Sequence, residues 1–234
     1  MSDFKDLTVF TRIKDRNIIR VAAFGSSNTQ RYQPGMHWFD YVELGFKNSF
    51  GGGCGQFINS GISGNTTRDL LNRFEQELAI FKPHLVIMTI GGNDANPERN
   101  ITPEKFRDNL LELERKISDL GAQIIFQTYY ACDLENIDHQ YAVSLIKYMQ
   151  IIREVAEQTG HLLMDHFARW EKLRRANSAI YRLLMKNPMH VNSSGNMVMG
   201  LDLARNLGLT INEVEECCRE GLFVQALLDQ LEKA

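Results

Sequence analysis

The stretch RVAAFGSSNTQ, residues 20–30, decides the fold, because an apolar run ends there abruptly in glycine and small polar residues. The run IIRVAAF, residues 18–24, predicts a first β-strand. Glycine, serine and asparagine are ordinary turn residues, so the end of the run predicts a turn. That turn carries two adjacent hydroxyl side chains, Ser26 and Ser27.

Strand-like and helix-like patterns alternate along the rest of the chain. Further strands are predicted at residues 56–59, 84–90, 122–129 and 161–165. The run HLVIMTI, residues 84–90, is almost continuously apolar, as expected for a strand covered on both faces. Apolar spacing predicts helices at residues 37–50, 66–81, 103–119, 139–159, 168–186, 194–206 and 211–233. The alternation predicts right-handed βαβ units and a parallel sheet with helices on both sides.

One domain is predicted over residues 1–234, because the chain contains neither repeats nor a low-complexity linker. Residues 1–16 form a charged N-terminal extension. The helices at 211–233 either pack on the sheet or form a dimer, so the oligomeric state stays open. The glycine-rich segment SFGGGCGQF, residues 49–57, is a loop between a helix and the second strand, and it lacks the pattern of a phosphate-binding turn.

Composition excludes several classes of protein. The apolar content of 44% and charged content of 24% are those of an ordinary globular protein, and the net charge of −3 gives no reason to expect nucleic-acid binding. No apolar run approaches the roughly 20 residues of a membrane span. The four cysteines show no metal-ligand spacing, and the N-terminus has no apolar signal core. The sequence therefore predicts a soluble cytoplasmic protein with reduced thiols.

The segments after the first three strands predict a site. In open α/β sheets a site lies beyond the carboxyl ends of the strands, where the strand order reverses. For the common order 2-1-3-4-5, that point lies between strands one and three. The segments GSSNT (25–29), NSGISGNTT (59–67) and GGNDAN (91–96) follow strands one to three, and all are glycine-rich and polar.

The residues at this edge fit the needs of ester cleavage, which are a nucleophile, a base, a group that orients the base, and oxyanion donors. A serine hydroxyl, a glycine N–H and an asparagine amide are all available. His190, in the polar segment KNPMHVNSSGNM (186–197), fits a base carried on a loop. The other five histidines begin strands at the opposite end, begin a helix, or lie in segments not placed: His84, His161, His139, His37 and His166.

Four segments together resemble the sequence blocks of the SGNH/GDSL hydrolases: FGSSNT, NSGISGNTT, GGND and NPMHVN..G. They match in order and spacing from the first strand to about Gly200. The resemblance implies a flavodoxin-like three-layer α/β/α sandwich with a five-stranded parallel sheet. It also implies an esterase, lipase, thioesterase or carbohydrate deacetylase that needs no metal or cofactor.

Carried over by position, the resemblance makes Ser27 the nucleophile and His190 the base. It makes the backbone N–H groups of Ser27 and Gly64, with the side chain of Asn93, the oxyanion hole. Ser26 stands where the family has the Asp of its Gly-Asp-Ser block, and we interpret it as a structural substitute.

A second departure concerns the group that orients the base. The family has Asp three residues before the His, and this chain has Asn187; Val191 replaces the Pro that often follows. An asparagine carbonyl can accept the Nδ1–H but carries no charge, and an amide turned round would favour the wrong tautomer. A backbone carbonyl of this loop and Asp165, at the end of the fifth strand, are alternatives.

Several residues near the site have purely structural interpretations. Gly64 suits a turn with positive φ, Asn93 and Asp94 can brace the loop after strand three, and Cys132 suits a buried thiol. Three residues of the first long helix share one face and predict core packing: Trp38, Tyr41 and Val42.

The leading hypothesis is a serine ester hydrolase that cleaves a small or medium carboxylic ester through an acyl-enzyme on Ser27. The alternative is a catalytically impaired relative that binds an ester or glycan without efficient turnover. A flavin- or nucleotide-binding module is less favoured, since no phosphate-cradling loop is visible. Acyl selectivity depends on the shape of the pocket that the loops at residues 29–36, 95–102 and 131–138 form. The sequence alone does not predict the conformations of these loops.

Overall fold

The computed structural model describes residues 3–32, 35–211, 226, 227, 229 and 230. Its strands are β1 (Ile19–Gly25), β2 (Gly55–Gly61), β3 (Leu85–Thr89), β4 (Gln123–Gln127), β5 (Leu162–Met164), β6 (Met185–Asn187) and β7 (His190–Val191). Its α-helices are α1 (Thr8–Lys14), α2 (Trp38–Phe50), α3 (Thr67–Asn72), α4 (Phe74–Glu77), α5 (Pro103–Asp119), α6 (His139–Thr159), α7 (His166–Ala176), α8 (Ser178–Leu183) and α9 (Ser193–Asn206).

Five strands form one parallel sheet in the order β2-β1-β3-β4-β5. All five residues of β3 are buried, which explains its continuous apolar sequence. The strand order reverses between β1 and β3, and the register pairs Gly25 with both Gly61 and Thr89 at their carboxyl ends. The predicted fold class and strand order are therefore confirmed.

Helices cover both faces of this sheet. The connection from β1 to β2 runs in the opposite direction to those from β2 to β5, so right-handed crossovers place α2 on one face and α3 to α6 on the other. Helix α9 packs against α2, and α5 packs against α3 and α6. The predicted core face of α2 is confirmed, since Trp38, Tyr41 and Val42 are all buried. Among the described residues, no helix combines the length and the apolar character needed to cross a bilayer.

Two of the predicted helices are wrong in detail. The helix predicted at 66–81 is divided at Arg73, whose guanidinium turns toward the sheet and donates to the carbonyls of Gly25 and Ser60. The helix predicted at 168–186 begins at His166 and is divided at Asn177, whose side chain caps α8. Its last residues instead form β6 of a short antiparallel hairpin with β7.

The N-terminal extension contributes a helix that is bonded to β4. The N-terminal extension contains α1, whose Val9 and Phe10 are buried. Thr8, at the start of α1, donates two hydrogen bonds to the side-chain oxygen of Gln123 on β4. The helices predicted at 211–233 lie almost wholly outside the described residues.

Candidate active site

The turn after β1 presents one of the two serines. A Cβ added to Gly25 would lie 2.3 Å from the side chain of Thr29 and 2.3 Å from a carbonyl oxygen of β3, so only glycine fits. The carbonyl of Ser26 accepts hydrogen bonds from the backbone N–H groups of Thr29 (3.0 Å) and Gln30 (2.9 Å). This turn reverses the chain immediately beyond the sheet, and Ser27 lies at its partly exposed surface.

The two adjacent hydroxyls have different surroundings. Ser26 is fully buried, and its Oγ lies 2.8 Å from the hydroxyl of Tyr129. The Oγ of Ser27 lies 3.0 Å from Nε2 of His190. The structure therefore brings the second serine, and not the first, to the histidine.

His190 lies on the β6–β7 hairpin, and the side-chain oxygen of Asn187 is 3.0 Å from its Nδ1. The same oxygen accepts the backbone N–H of Met189 at 2.9 Å. Because a backbone N–H can only donate, this contact fixes which atom of the Asn187 amide is the oxygen. Nδ1 of His190 must then carry the proton, and Nε2 is left as the acceptor for the Ser27 hydroxyl.

The surroundings of His190 favour the neutral imidazole. Partial burial lowers the pKa of His190, and the ammonium group of Lys186 lowers it further. The Lys186 Nζ lies 5.2 Å from the centre of the Tyr32 ring, and that ring meets His190 edge-on at 6.5 Å. A neutral imidazole is the form that accepts a proton from a hydroxyl.

Asp165 does not approach His190. Its carboxylate forms a two-point ion pair with Arg153 at 2.7 and 3.0 Å and accepts a hydrogen bond from Thr128 at 3.0 Å. It also caps α7 through the N–H of Ala168. Asp165 is thus a structural residue, and this alternative to Asn187 is wrong. Among the described residues, no backbone carbonyl bonds Nδ1 of His190 either, because that nitrogen faces Asn187.

The loops after β2 and β3 meet beside the turn that carries Ser27. The N–H of Ile62 donates to the carbonyl of Gly25 at 3.2 Å, which joins the β2 loop to the end of β1. In this loop Gly64 has φ of +80°, a backbone conformation that favours glycine. The Nδ2 of Asn93 donates to the carbonyl of Asn65 at 2.8 Å. This bond fixes the Asn93 amide beside Gly64 and leaves Nδ2 a second N–H.

Asp94 braces the same pair of loops. Its Oδ1 accepts the backbone N–H of Thr67 at 2.8 Å and the Thr67 hydroxyl at 2.5 Å. Asn109 on α5 donates to that hydroxyl from behind at 2.9 Å. Burial raises the pKa of Asp94 to about 6, and its Oδ2 has no hydrogen-bond partner among the described residues. Asp94 therefore holds the start of α3 against the β3 loop, as its structural interpretation predicts.

The remaining histidines and Cys132 do not face Ser27. His84 accepts the Arg20 N–H before β3, His161 pairs with Glu114 before β5, and His139 begins α6. His37 caps α2, and His166 is buried against Gln127. Cys132 is fully buried, which raises the pKa of its thiol to about 12. Within the described part of the chain, no three His, Cys, Asp or Glu side chains are grouped to hold a metal ion.

Sequence reasoning missed two tyrosines that support the site, Tyr129 and Tyr130. Both lie just beyond β4, after Thr128, and both are buried. The Tyr129 ring lies so close to Gly92 that a Cβ there would be 2.3 Å from it, and its hydroxyl meets Ser26. Two adjacent hydroxyl-bearing rings at a strand end were the available signal, but the sequence does not say which polar groups they meet.

A hydroxyl bonded to a neutral imidazole, with N–H donors beside it, is an arrangement for nucleophilic catalysis. Similar proteins are named as esterases, lipases or acylhydrolases. Residues 23–198 match the model of the GDSL-like Lipase/Acylhydrolase family. The acetylxylan esterase of Geobacillus stearothermophilus is 25% identical over 80% of this chain and 84% of its own length. Esterase TesA of Pseudomonas aeruginosa is 35% identical over 29% of this chain and 33% of its own.

Solved structures agree on the fold. The crystal structure of Axe2, an acetylxylan esterase from Geobacillus stearothermophilus, superposes with a TM-score of 0.71 at 22% identity, covering 84% of this chain and 97% of its own. The acetyl xylan esterase AlAXEase gives a TM-score of 0.68 at 23% identity over 81% of this chain and 98% of its own. The match to the family model covers most of the chain, including Ser27, Gly64, Asn93 and His190. The chain therefore belongs to the GDSL-like lipase/acylhydrolase family and is a hydrolase that acts on ester bonds.

Proposed function

We propose that the protein cleaves small or medium carboxylic esters through an acyl-enzyme on Ser27, with His190 as the base. The observation that carries this proposal is the chain of contacts from Ser27 Oγ to His190 Nε2 and from His190 Nδ1 to Asn187 Oδ1, each of 3.0 Å. The Met189 N–H, by fixing the Asn187 oxygen, leaves His190 in the tautomer that this reaction needs.

In the first half of the reaction, Ser27 Oγ attacks the acyl carbon while Nε2 of His190 takes the hydroxyl proton. The carbonyl oxygen becomes an oxyanion, and the proposed donors are the N–H groups of Ser27 and Gly64 and the Asn93 amide. His190 then returns the proton to the departing alcohol, and the C–O bond of the ester breaks. In the second half, His190 takes a proton from a water molecule that attacks the acyl carbon. The bond between Ser27 Oγ and the acyl carbon then breaks, the carboxylic acid leaves, and His190 returns the proton to Ser27.

Asn187 is the proposed orienting group in place of a carboxylate. In the Geobacillus esterase, the variants described as catalytic mutants replace a serine, an aspartate and a histidine, and the aspartate lies three positions before the histidine. Asn187 holds the equivalent spacing to His190 here and supplies an acceptor without a charge. It orients the imidazole but gives little stabilisation to the imidazolium that forms.

The substrate class that we propose is a short acyl ester, with an acetylated carbohydrate as the first candidate. Two similar proteins are named acetylxylan esterases, which supports an acetyl group on a sugar hydroxyl.

A panel of p-nitrophenyl esters from acetate to palmitate tests the proposal, with Ser27→Ala as the control. We expect kcat/KM to be highest for acetate or butyrate and to depend on Ser27. Acetylated xylo-oligosaccharides, assayed for released acetate, then test the alcohol side. A protein that binds these esters without hydrolysing any of them would instead support the alternative of an impaired relative.

A further inference from the structure

Tyr130 lies behind the hairpin that carries His190 and bonds the backbone on both sides of it. The ring follows β4 and is fully buried. Its hydroxyl donates to the carbonyl of Met189 at 2.6 Å and accepts the N–H of Val191 at 3.1 Å. These two backbone groups belong to the residues immediately before and after His190.

The hydroxyl has a third neighbour, the side-chain amide of Asn28 at 2.8 Å. A hydroxyl has one proton, and the Met189 carbonyl can only accept it, so Asn28 must be a donor. With its oxygen toward Tyr130, Asn28 would also keep a buried Nδ2 with no partner among the described residues. Turning the amide by 180° removes the conflict at Tyr130, because Nδ2–H then donates to the Tyr130 oxygen, and the buried atom without a partner becomes Oδ1.

Asn28 is itself fixed next to Ser27. Its backbone carbonyl accepts the indole N–H of Trp38 at 2.7 Å and lies 3.1 Å from Nε2 of His37, both at the start of α2. Burial raises the pKa of Tyr130 well above its ordinary value, so its hydroxyl remains a neutral donor. One buried hydroxyl thus joins the turn that carries Ser27 to the hairpin that carries His190. We call this link, from Asn28 through Tyr130 to the backbone of Met189 and Val191, the bridge.

We propose that Tyr130 is a positioning residue that fixes the separation of Ser27 and His190, a role that rests on the proposed function. Without the hydroxyl, the hairpin and the turn would each keep their internal hydrogen bonds but would lose the link through Tyr130. The Met189 carbonyl and the Val191 N–H would also lose a buried partner. A displacement of about 1 Å between reacting groups is enough to cost roughly 10² in rate.

Tyr130→Phe tests this role, with Tyr181→Phe as the matched control. Tyr181 is also buried, and its hydroxyl donates to the carbonyl of Ala131 at 2.7 Å. This hydrogen bond does not involve the backbone on either side of His190. With p-nitrophenyl acetate, we expect Tyr130→Phe to lower kcat by about 10- to 100-fold and to leave KM within about threefold. Tyr181→Phe should keep kcat within about twofold despite a comparable loss in Tm. Equal losses of kcat in the two variants would overturn the proposal.

Asn28→Ala tests the same bridge from its other end and serves if Tyr130→Phe does not fold. It should lower kcat by about threefold to tenfold, and its effect should be less than multiplicative with that of Tyr130→Phe, because both remove one link. Wild-type kcat in Asn28→Ala would contradict the bridge.

Hydrogen exchange at the Val191 amide reads the bridge without any turnover. Exchange should be faster in Tyr130→Phe than in the wild type and unchanged in Tyr181→Phe. If the wild type hydrolyses no ester but Val191 exchange responds in this way, the proposed function fails and the bridge stands. If the wild type is active and neither kcat nor Val191 exchange responds to Tyr130→Phe, the bridge fails and the proposed function stands.

Discussion

The turn that carries Ser27 and the hairpin that carries His190 are held in place in different ways. The turn packs tightly against the end of the sheet. Ser26, Asn28 and Thr29 are all buried, and Gly25 is packed against β3. The hairpin is more open, and both Lys186 and Asn187 on β6 are exposed.

A few directed bonds fix the position of the hairpin. Tyr130 bonds Met189 and Val191, and the carbonyl of Pro188 accepts the N–H of Asp133 at 2.9 Å. Ser27, the proposed nucleophile, is thus positioned by sheet packing, whereas His190, the proposed base, is positioned by individual hydrogen bonds. Of the two departures from the family pattern near His190, Asn187 is exposed and Val191 is buried. We infer that loss of the Ser27 hydroxyl abolishes the reaction, whereas changes at Lys186 and Asn187 of the hairpin tune its rate and pH dependence.

The largest expected effect distinguishes the two serines of the turn. Ser27→Ala should lower kcat by at least about 10³, on the scale of losing a nucleophile, with little change in Tm. Ser26→Ala removes the bond to Tyr129 and should cost about 1 kcal/mol of stability while keeping most of the activity. Steady-state kinetics and thermal unfolding of both variants measure this. The opposite pattern would make Ser26 the nucleophile.

The next largest effect concerns Asn93 in the loop after β3, which lies beside the turn that carries Ser27. Asn93→Ala should reduce kcat by about 10² to 10³ with a smaller change in KM, because an oxyanion donor acts mainly in the transition state. Asn96→Ala is the control, since Asn96 lies in the same loop and caps the short turn after it. If Asn93→Ala raises KM alone, the amide binds substrate and does not stabilise the oxyanion.

On the hairpin side, Asn187→Asp should raise the rate. A carboxylate beside Nδ1 favours the imidazolium and raises the pKa of His190, so the acidic limb of kcat/KM should move to higher pH. The plateau should rise by about tenfold if the missing charge limits the reaction.

Asn192→Asp is the matched control for that variant. Asn192 caps α9 through the N–H of Gly195, a role that Asp also fills well. The variant adds the same charge two residues beyond His190, and it loses the hydrogen bond from Nδ2 to the carbonyl of Leu183 at 2.7 Å. Both variants should be compared in one pH–rate profile on an activated ester. An equal shift in the two variants, or none in Asn187→Asp, would show that Asn187 does not act through Nδ1.

The smallest expected effect is that of Lys186, the cation beside the base. Its charge disfavours the imidazolium and so lowers the pKa of His190. Lys186→Met should therefore raise that pKa and move the acidic limb to higher pH, with the plateau within about twofold. Added salt should move the wild-type limb toward that of the variant. A limb that moves to lower pH would contradict this sign.

The sheet and the turn were predictable from sequence because their patterns are local. The continuous apolar run of β3 and the glycine-rich ends of β1, β2 and β3 require only burial and turn chemistry. The same residues predicted the edge of the sheet at which Ser27, Gly64 and Asn93 lie.

The hairpin was not predictable, and the reason is physical. Met185 and Lys186 end the helix predicted at 168–186, and only pairing with His190 and Val191 makes them part of a strand. The break at Arg73 likewise depends on carbonyls of β1 and β2 that lie far away in sequence. The family resemblance pointed to Asn187, but the orientation of its amide depends on the Met189 N–H, which only the folded loop shows. Tyr130 depends on three partners from two other segments, so no local pattern marks it.

The most direct test of the central claim is covalent labelling of the wild type with a fluorophosphonate, followed by mass spectrometry of the peptides. The reagent bonds only to a serine activated by its surroundings. We predict one adduct, on Ser27, that is absent in Ser27→Ala, retained in Ser26→Ala and formed far more slowly in His190→Ala. No adduct in the wild type, or an adduct that persists in Ser27→Ala, would contradict the account.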